Sequence, residues 1–349
     1  MEKQKIGITH GDTNGVGYEV ILKAFEDPTM LELCTPIVYG NSKIAAYHRK
    51  AMELTTNYRT IQRADEAMHD KLNLVECINE EVKIDLGQET PESILSAKKS
   101  LDAGIEDLAK GKIDALVVNP LNPEKSLGTN SQTEYILSKM GREGTPLTIL
   151  LNDDLRIALA TTHLPISEVA GKITKELILE RIRQLNMSLK RDFKFTQPRI
   201  AVLALNPQPN EEEENAIKPA LEDANTERIN AYGPFNAGEF FGEGAYRYYD
   251  AVLAMYDEQG KTPFKVVSKD EGVIYVANLP YICTCPSQNL QYGIAGKGVA
   301  DVLSFNHAIF SAIDIHRNRA FYDQSHENPL PKLYQDKRED PKKSIFNVE

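Results

Sequence analysis

The chain has 349 residues, of which 41% are hydrophobic and 26% are charged, as is typical of a soluble globular protein. This length is enough for two lobes or for one large α/β domain with a sizeable core. The formal net charge of −11 argues against a general nucleic-acid or anionic-membrane binder, since both need an excess of positive charge. An anionic metabolite stays compatible with this charge, because a pocket can be locally positive.

Cysteine usage and the N-terminus bear on the compartment. Cys34, Cys77, Cys283 and Cys285 form no disulfide framework for a chain of this length, and we interpret them as strand or turn thiols. The first five residues run directly into a predicted strand, and no signal peptide or membrane-length apolar stretch appears. We therefore expect a reduced, cytoplasmic protein with neither a nucleic-acid nor a membrane partner.

The first predicted strand, residues 5–10, leads into a glycine turn at residues 11–17 and then a helix at 18–25. Glycines beside a helix start allow backbone N–H groups to face an anion. The spacing matches no dinucleotide or Walker fingerprint, so a tight turn explains it equally well.

Strands and helices are predicted to alternate along the rest of the chain, which indicates an α/β fold with a meander or hairpin inserted in the middle. Predicted strands cover residues 36–40, 72–77, 82–84, 113–118, 147–151, 156–160, 200–205, 251–255, 264–267 and 272–277. Predicted helices cover residues 42–52, 94–110 and 175–192, with others beginning near residues 133 and 211 and after 298. We expect a loop at 233–244, an irregular stretch at 279–292 and a loosely held tail at 328–349.

The strand predicted at residues 251–255 ends abruptly in Tyr256, Asp257, Glu258 and Gln259. In open α/β sheets, ligands bind at the carboxyl ends of strands, so polar side chains there are candidates for chemistry. A solvated turn is the alternative explanation. Three other predicted strands also end in polar residues, namely Asn119, Thr162-His163 and Asn206-Pro207-Gln208.

Around these strand ends the sequence resembles the 4-hydroxythreonine-4-phosphate dehydrogenases of pyridoxal phosphate biosynthesis. The resemblance covers roughly residues 5–301 and rests on long motifs in the same order. These are residues 6–17 (IGITHGDTNGVG), 156–165 (RIALATTHLP), 199–207 (RIAVLALNP) and 250–256 (DAVLAMY) followed by Gln259-Gly260.

The resemblance implies an isopropylmalate-dehydrogenase-like fold, with two α/β/α lobes around a central cleft. We expect residues 1–120 with 295–349 to form one lobe, and residues 121–294 to form the second lobe with the dimerisation elements. It also implies a homodimer that oxidises 4-phosphooxy-L-threonine with NAD or NADP, after which the product loses carbon dioxide. A divalent metal (Zn, Mg, Mn or Co) would polarise the alcohol and then the ketone.

Transferred to this chain, the family's metal ligands fall on His163, Gln208 and Asp257. The family has three histidines, one of them from the partner subunit, so we expect Asp257 to lie nearer the partner's His163 than its own. Because a neutral amide oxygen is a weak ligand, the Gln208 position predicts a weakened metal site.

The substrate positions implied by the resemblance are Gln132, Thr133, Lys265 and Cys283, with Lys265 and Asp257 as catalytic candidates. Cys283 stands where the family has an arginine, and a thiol cannot replace its bidentate contact with an anion. Ile274 stands at an asparagine position, and Pro123 at a lysine position. The cofactor positions fall on Asn206, Ser287, Gln288 and Asn289.

Each of these residues also has a structural explanation. His163 could be a structural histidine, Lys265 a solvated surface lysine, and Thr133 or Asp257 a helix cap. Three hypotheses follow for the whole chain: the family dehydrogenase, a paralogue acting on another small hydroxy acid, and a catalytically silent homologue. Because the cleft positions differ from the family pattern, we expect poor turnover of 4-phosphooxy-threonine.

Overall fold

The computed structural model describes residues 3–140 and 145–328, and these residues form an α/β protein, as predicted. Strands and helices alternate along most of the chain. The strands are β1 (Lys5–Thr9), β2 (Thr35–Gly40), β3 (Tyr58–Ile61), β4 (Leu72–Glu76), β5 (Ala115–Val118), β6 (Leu147–Leu151), β7 (Arg156–Leu159), β8 (Arg199–Leu203), β9 (Asn230–Phe235), β10 (Ala251–Ala254), β11 (Val273–Ala277) and β12 (Cys283–Pro286).

Helices lie between most of the strands, and one long helix ends the described part of the chain. They are α1 (Gly17–Ala24), α2 (Met30–Leu33), α3 (Ser42–Ala51), α4 (Pro91–Ala109), α5 (Pro123–Leu127), α6 (Gln132–Met140), α7 (Ile166–Lys172), α8 (Lys175–Arg191), α9 (Lys218–Thr226), α10 (Ala237–Gly242), α11 (Asp257–Ser268) and α12 (Leu303–His326). Of the tail predicted at 328–349, residues 329–349 lie outside the described residues. Within the described ranges, no helix combines the length and apolar composition needed to cross a bilayer.

The strands form one continuous sheet in the order β3-β4-β2-β1-β5-β12-β11-β6-β7-β10-β8-β9. The strands from β3 to β12 in this order are parallel to one another, and so are β7, β10, β8 and β9. Between the two blocks, β11 is antiparallel to both of its neighbours, and β6 and β7 form the predicted hairpin. The two parallel blocks therefore run in opposite directions.

Helices cover both faces of each block, which is why its strands are apolar on both sides. In β5, Leu116 and Val118 pack with Leu101 of α4, whereas Ala115 and Val117 join the opposite cluster, which contains residues of α1 and α12. In β10, Ala251 and Leu253 share the cluster of α8, whereas Val252 and Ala254 pack with Phe264 of α11. The predicted division at residues 120 and 295 stays a prediction; the pairing of β12 with β5 crosses it, whereas β12 and β11 lie on the same side.

Two predicted elements near the strand ends are wrong. Residues 264–267 are not a strand but part of α11, because the buried residues Gly260, Phe264 and Ser268 recur every four positions along one helix face. The stretch predicted as irregular at 279–292 contains β12, whose pairing partners are distant in sequence.

Three smaller predictions also differ from the structure. Residues 82–84 contain no strand, and β3 was not predicted, since only one of its four residues is fully buried and the apolar pattern is weak. The predicted loop at 233–244 contains the end of β9 and all of α10.

Candidate functional site

A cleft of about 690 Å³ opens where the segment after β5 meets the ends of β7, β10 and β12. Its polar lining combines side-chain amides with five ionisable groups: His163, Asp257, Lys261, Cys285 and Tyr292. The described residues that line it are Val118, Pro120, Leu121, Asn122, Pro123, Asn130, Ser131, Gln132, Thr133, Thr148, Leu150, Thr162, His163, Asp257, Lys261, Ile274, Cys285, Pro286, Gln288, Asn289, Leu290, Gln291 and Tyr292.

The cleft lies across the boundary between the two strand blocks. Thr148 of β6, Ile274 of β11 and Cys285 of β12 line it from the central strands. His163 and Asp257 line it from the segments that follow β7 and β10, as the rule for ligands at the carboxyl ends of strands predicts.

The centre of the cleft is built on Asp257, the first residue of α11. Its Oδ2 accepts a hydrogen bond of 2.6 Å from the backbone N–H of His163, and its Oδ1 lies 2.6 Å from the ammonium Nζ of Lys261. His163 has a φ of 56°, a left-handed conformation that is uncommon for a residue other than glycine. The bond from Asp257 therefore holds the turn after β7 in place.

The expectation that Asp257 lies nearer the partner's His163 than its own stays a prediction, but within one chain the Asp257 carboxylate already contacts the backbone of His163. The reason lies in the sheet order, because β7 and β10 are neighbours and parallel. Their carboxyl ends thus place His163 and Asp257 side by side within one chain. The alternative of Asp257 as a helix cap is close to what is observed, although the N-cap position itself belongs to Tyr256.

Gln259 fixes the start of α11 against the sheet. Its Oε1 accepts the backbone N–H of Met255 at 2.7 Å, and its Nε2 donates to the carbonyl of Ala204 at 2.7 Å. One side chain therefore ties the end of β10 to the end of β8. A carboxylate at this position could accept but not donate, so the amide is required for both bonds.

Of the predicted substrate residues, Gln132 and Thr133 line the cleft at the start of α6. Thr133 is not the cap of this helix, since Ser131 Oγ accepts the backbone N–H of Glu134 at 3.1 Å. Gln132 Oε1 lies 3.7 Å from the thiol of Cys285. These contacts leave both Gln132 and Thr133 available to a ligand.

Cys283 and Lys265 are placed away from the cleft lining. Cys283 is buried in the cluster of α4, and a hydrogen bond with Cys285 together with burial raises the pKa of its thiol well above the ordinary value. Two residues later, at the end of β12, Cys285 reaches the cleft. The Lys265 ammonium donates to the carbonyl of Ser287, and burial lowers the pKa of Lys265.

The predicted cofactor residues divide between two regions. Gln288 and Asn289 line the cleft, whereas Ser287 lies behind them, its N–H bonded to Gly272 O and to Ser304 Oγ. Asn206 lines a second cleft of about 470 Å³, where its backbone N–H and side-chain amide both bond to the Glu213 carboxylate.

The predicted metal ligands also divide. His163 and Asp257 line the first cleft, but Gln208 is exposed and follows Pro207, which lines the second cleft. Asp257 accepts a hydrogen bond at Oδ2, and its buried Oδ1 has no hydrogen-bond partner among the described residues but forms an ion pair with Lys261. Across residues 3–140 and 145–328, no three His, Cys, Asp or Glu side chains are grouped as a metal site requires. Within one chain, the residues do not fit a metal.

Two amide groups in the cleft lack hydrogen-bond partners. Gln288 Nε2 and Gln291 Oε1 are buried and have no partner among the described residues. A buried polar atom without a partner costs free energy, so both atoms are suited to contact a bound ligand. Sequence reasoning missed Gln291, Lys261 and Cys285; for Lys261, its position four residues after Asp257 on a helix was the available signal.

The glycine turn before α1 is a tight turn whose amides are already used. The N–H groups of Asp12, Asn14 and Gly15 bond to Pro120 O, Asp12 Oδ1 and Asp12 O. Gly17 is required because a Cβ there would lie 1.8 Å from the carbonyl oxygen of His10. These contacts leave no basis for an anion site at this turn.

Beneath the turn, His10 is fully buried and stacks on Tyr18, with ring centroids 4.8 Å apart. Tyr18 in turn stacks on His48 at 5.2 Å. Burial lowers the pKa of His10 to about 3 and that of His48 to about 4. Both rings are therefore neutral near pH 7 and belong to the scaffold.

Comparison with known proteins identifies the relatives of this fold and site. The family described as "Pyridoxal phosphate biosynthetic protein PdxA" matches residues 32–312. A 4-hydroxythreonine-4-phosphate dehydrogenase of Bacteroides thetaiotaomicron is 45% identical, over 98% of both chains.

Solved structures agree with this match. The structure of a 4-hydroxythreonine-4-phosphate dehydrogenase from Burkholderia phymatum has a TM-score of 0.72 and 28% identity, covering 90% of this chain and 99% of the other. Isocitrate dehydrogenase from Methylococcus capsulatus, at 10% identity, has a TM-score of 0.50 over 93% of this chain and 88% of its own, which shows the fold alone. The predicted fold, isopropylmalate-dehydrogenase-like with two lobes around a cleft, is confirmed.

Proposed function

The chain belongs to the pyridoxal phosphate biosynthetic protein PdxA family, and on that premise we propose that it is a 4-hydroxythreonine-4-phosphate dehydrogenase-like oxidoreductase of vitamin B6 biosynthesis. The observation that carries the proposal is the 45% identity with a dehydrogenase of that name over nearly the whole chain. The cleft supports it, since Gln132, Thr133 and His163 line it as the family resemblance predicts.

The proposed cofactor is NAD or NADP, with Gln288 and Asn289 as the residues that hold it. The unpartnered Nε2 of Gln288 supports this assignment, because it offers a buried donor to a ligand. When bound, a nicotinamide cofactor accepts the hydride from the secondary alcohol. Asn206 and Ser287 stay predictions as cofactor residues; each bonds to the protein itself.

The proposed chemistry at the chain's own residues concerns orientation and proton transfer. The His163 turn, held by Asp257, and the amide of Gln132 orient a small anionic hydroxy acid. Lys265 stays a prediction as the proton-transfer group: burial lowers its pKa, but its ammonium bonds to the Ser287 carbonyl outside the cleft lining. No step is assigned to a metal, since the donor set of one chain does not fit one.

We propose that turnover of 4-phosphooxy-L-threonine is slow. Cys283, at the position of the family's anion-binding arginine, is buried behind Cys285. Losing a charged hydrogen-bond partner costs about 1.5–3 kcal/mol, and each 1.36 kcal/mol is about tenfold in rate. The expected rate is therefore far below the enzyme median of about 10 per second.

The remaining features of the proposal are a cytoplasmic homodimer and a small phosphorylated metabolite as ligand, without nucleic acid or membrane partners. The acidic composition supports the last point, since nucleic acids and anionic membranes repel a net charge of −11. Sedimentation at micromolar concentration tests the dimer, and a monomer would contradict it.

The test of the proposed function combines binding with turnover. Cys285 lines the cleft whereas Cys77, also partly exposed, does not, so thiol alkylation followed by peptide mass analysis reports on the cleft with an internal control. We expect NAD or NADP with 4-phosphooxy-L-threonine to slow alkylation of Cys285 but not of Cys77. Slow reduction of the cofactor should accompany this protection.

A second candidate function is a paralogue that acts on another small hydroxy acid. The observation in its favour is that Lys261 is the one lysine or arginine among the described cleft residues, and it is already paired with Asp257. Cofactor protection of Cys285 without turnover of 4-phosphooxy-L-threonine would favour the paralogue. Absence of protection by either nucleotide would contradict both functions and favour a catalytically silent homologue.

A further inference from the structure

The cation that contacts Asp257 in this chain is the ammonium group of its own Lys261. The two residues stand four positions apart at the start of α11, so they lie on the same side of the helix. The Nζ of Lys261 is 2.6 Å from Asp257 Oδ1. An acidic residue N-terminal to a basic one at this spacing is the favourable orientation along a helix.

The second oxygen of Asp257 is also occupied. Oδ2 accepts the backbone N–H of His163 at 2.6 Å and so stabilises its left-handed backbone. A divalent cation at Asp257 would share the carboxylate with the ammonium near Oδ1 or with the His163 N–H at Oδ2. It would also experience repulsion from the ammonium at short range.

The Lys261 side chain lines the cleft beside residues that a ligand would contact. It is 38% exposed, whereas that of Asp257 is 20% exposed, so the ammonium can reach into the open part of the cleft. Its three N–H donors exceed what one carboxylate oxygen uses. The remaining donors are available to an anionic group of a ligand.

We infer that Lys261 takes the place of a divalent cation at Asp257, so that the cleft presents an ammonium to the carboxylate or phosphate of its ligand and works without a bound metal. The inference rests on the proposed function in one respect, namely that this cleft is the ligand site. It gives Lys261 two roles: its ammonium contacts the ligand, and its charge disfavours metal ions at Asp257.

The first arm of the test measures metal binding without nucleotide or substrate. Mn²⁺ is titrated into wild type, Lys261→Met and the double variant Lys261→Met with Asp257→Asn. The matched control is Lys110→Met, which frees the carboxylate of Glu106 from an equivalent i,i+4 pair on α4, outside the cleft. We expect Lys261→Met to bind Mn²⁺ at least tenfold more tightly than wild type or Lys110→Met, and the double variant to lose this gain.

The second arm measures anion binding with inorganic phosphate, followed as the phosphate-dependent rise of the unfolding midpoint. We expect wild type and Lys261→Arg to bind phosphate at least tenfold more tightly than Lys261→Met. The Arg variant separates loss of charge from loss of packing, since it keeps the charge.

Two results would overturn the inference. One is tight, Asp257-dependent Mn²⁺ binding by wild type; the other is equal phosphate binding by wild type and Lys261→Met. Both arms omit the nicotinamide cofactor, so failure of the proposed dehydrogenase function, seen as absence of Cys285 protection by NAD and NADP, is recorded separately.

Discussion

Two carboxylates of this protein, Asp192 and Asp257, each pair with a cation, but their surroundings differ. Asp192 lies between α8, α12 and β11, where its Oδ1 accepts Arg319 Nε at 2.7 Å and its Oδ2 accepts the hydroxyl of Tyr275 at 2.8 Å. Both side chains of the ion pair are nearly inaccessible, at 3% for Asp192 and 8% for Arg319. Asp257 pairs at a similar distance with a half-exposed lysine at the edge of a cleft.

The difference shows how burial decides what an ion pair does. In the buried network, the Arg319 guanidinium also donates to the Tyr275 hydroxyl at 2.6 Å and to the Leu279 carbonyl at 3.0 Å, so almost every polar group has a partner. Removing one member leaves an uncompensated charge. In the cleft, water replaces whichever partner leaves, so the pair contributes little to stability and can exchange for a ligand.

The largest effect is expected from breaking the buried pair. Arg319→Met should lower the free energy of unfolding by about 3–5 kcal/mol, because Asp192 stays buried without its cation. The matched control is Arg191→Met, which breaks a two-bond contact with Asp323 at the surface and should cost about 1 kcal/mol or less. Urea unfolding of both variants measures the difference, and equal losses would contradict the comparison.

The effect of burial on charged groups can also be tested through the pH dependence of stability, at two buried histidines. Burial lowers the pKa of His10 to about 3 and of His48 to about 4, below the value of 6.5 for the unfolded chain. The unfolded state therefore binds more protons below pH 6.5, and this contribution to stability is complete above pH 6.5 and is lost as the pH falls toward 4 and 3. Each histidine contributes a slope of up to about 1.4 kcal/mol per pH unit.

The measurement is urea unfolding of wild type and His10→Phe at pH 7.5 and pH 5. The variant keeps an aromatic ring against Tyr18 but cannot bind a proton, so it should lose less stability than wild type on acidification. His326→Gln, at an exposed histidine of α12, is the control and should behave as wild type. An unchanged pH slope in His10→Phe would contradict the buried assignment.

An intermediate loss of stability is expected from substituting Gln259, which links the ends of two strands to the helix that lines the cleft. Gln259→Ala should cost about 1–3 kcal/mol, because the Met255 N–H and the Ala204 carbonyl both lose their partner. Amide hydrogen exchange at Met255 should accelerate at the same time. Thr262→Ala, which removes an exposed hydroxyl contact with Glu258 on the same helix, should leave that exchange rate unchanged.

The smallest effect on stability is expected in the cleft itself. Lys261→Met should change the free energy of unfolding by about 0.5 kcal/mol or less, as is usual for exposed pairs at this helix spacing. Thermal and urea unfolding check this value. A loss comparable to that of Arg319→Met would mean that Lys261 is part of the scaffold.

The amino-acid sequence by itself determined the elements whose pattern is local. The amphipathic helix α4, the strands β1, β2 and β5, and the β6–β7 hairpin were all predicted close to their observed bounds. The family motifs named Gln132, His163 and Asp257, which line the cleft, and their roles stay predictions. His163 and Asp257 meet there because they follow neighbouring parallel strands.

Tertiary structure decided what depends on contacts between distant residues. Residues 264–267 became helix because Phe264 packs in the cluster of β10, and residues 283–286 became a strand because β5 and β11 pair with them. That Cys285 rather than Cys283 lines the cleft was decided by the place of β12 in the sheet, and the contact of Asp257 with its own His163 by the pairing of β7 with β10. No local pattern encodes these quantities, since they depend on which strands become neighbours.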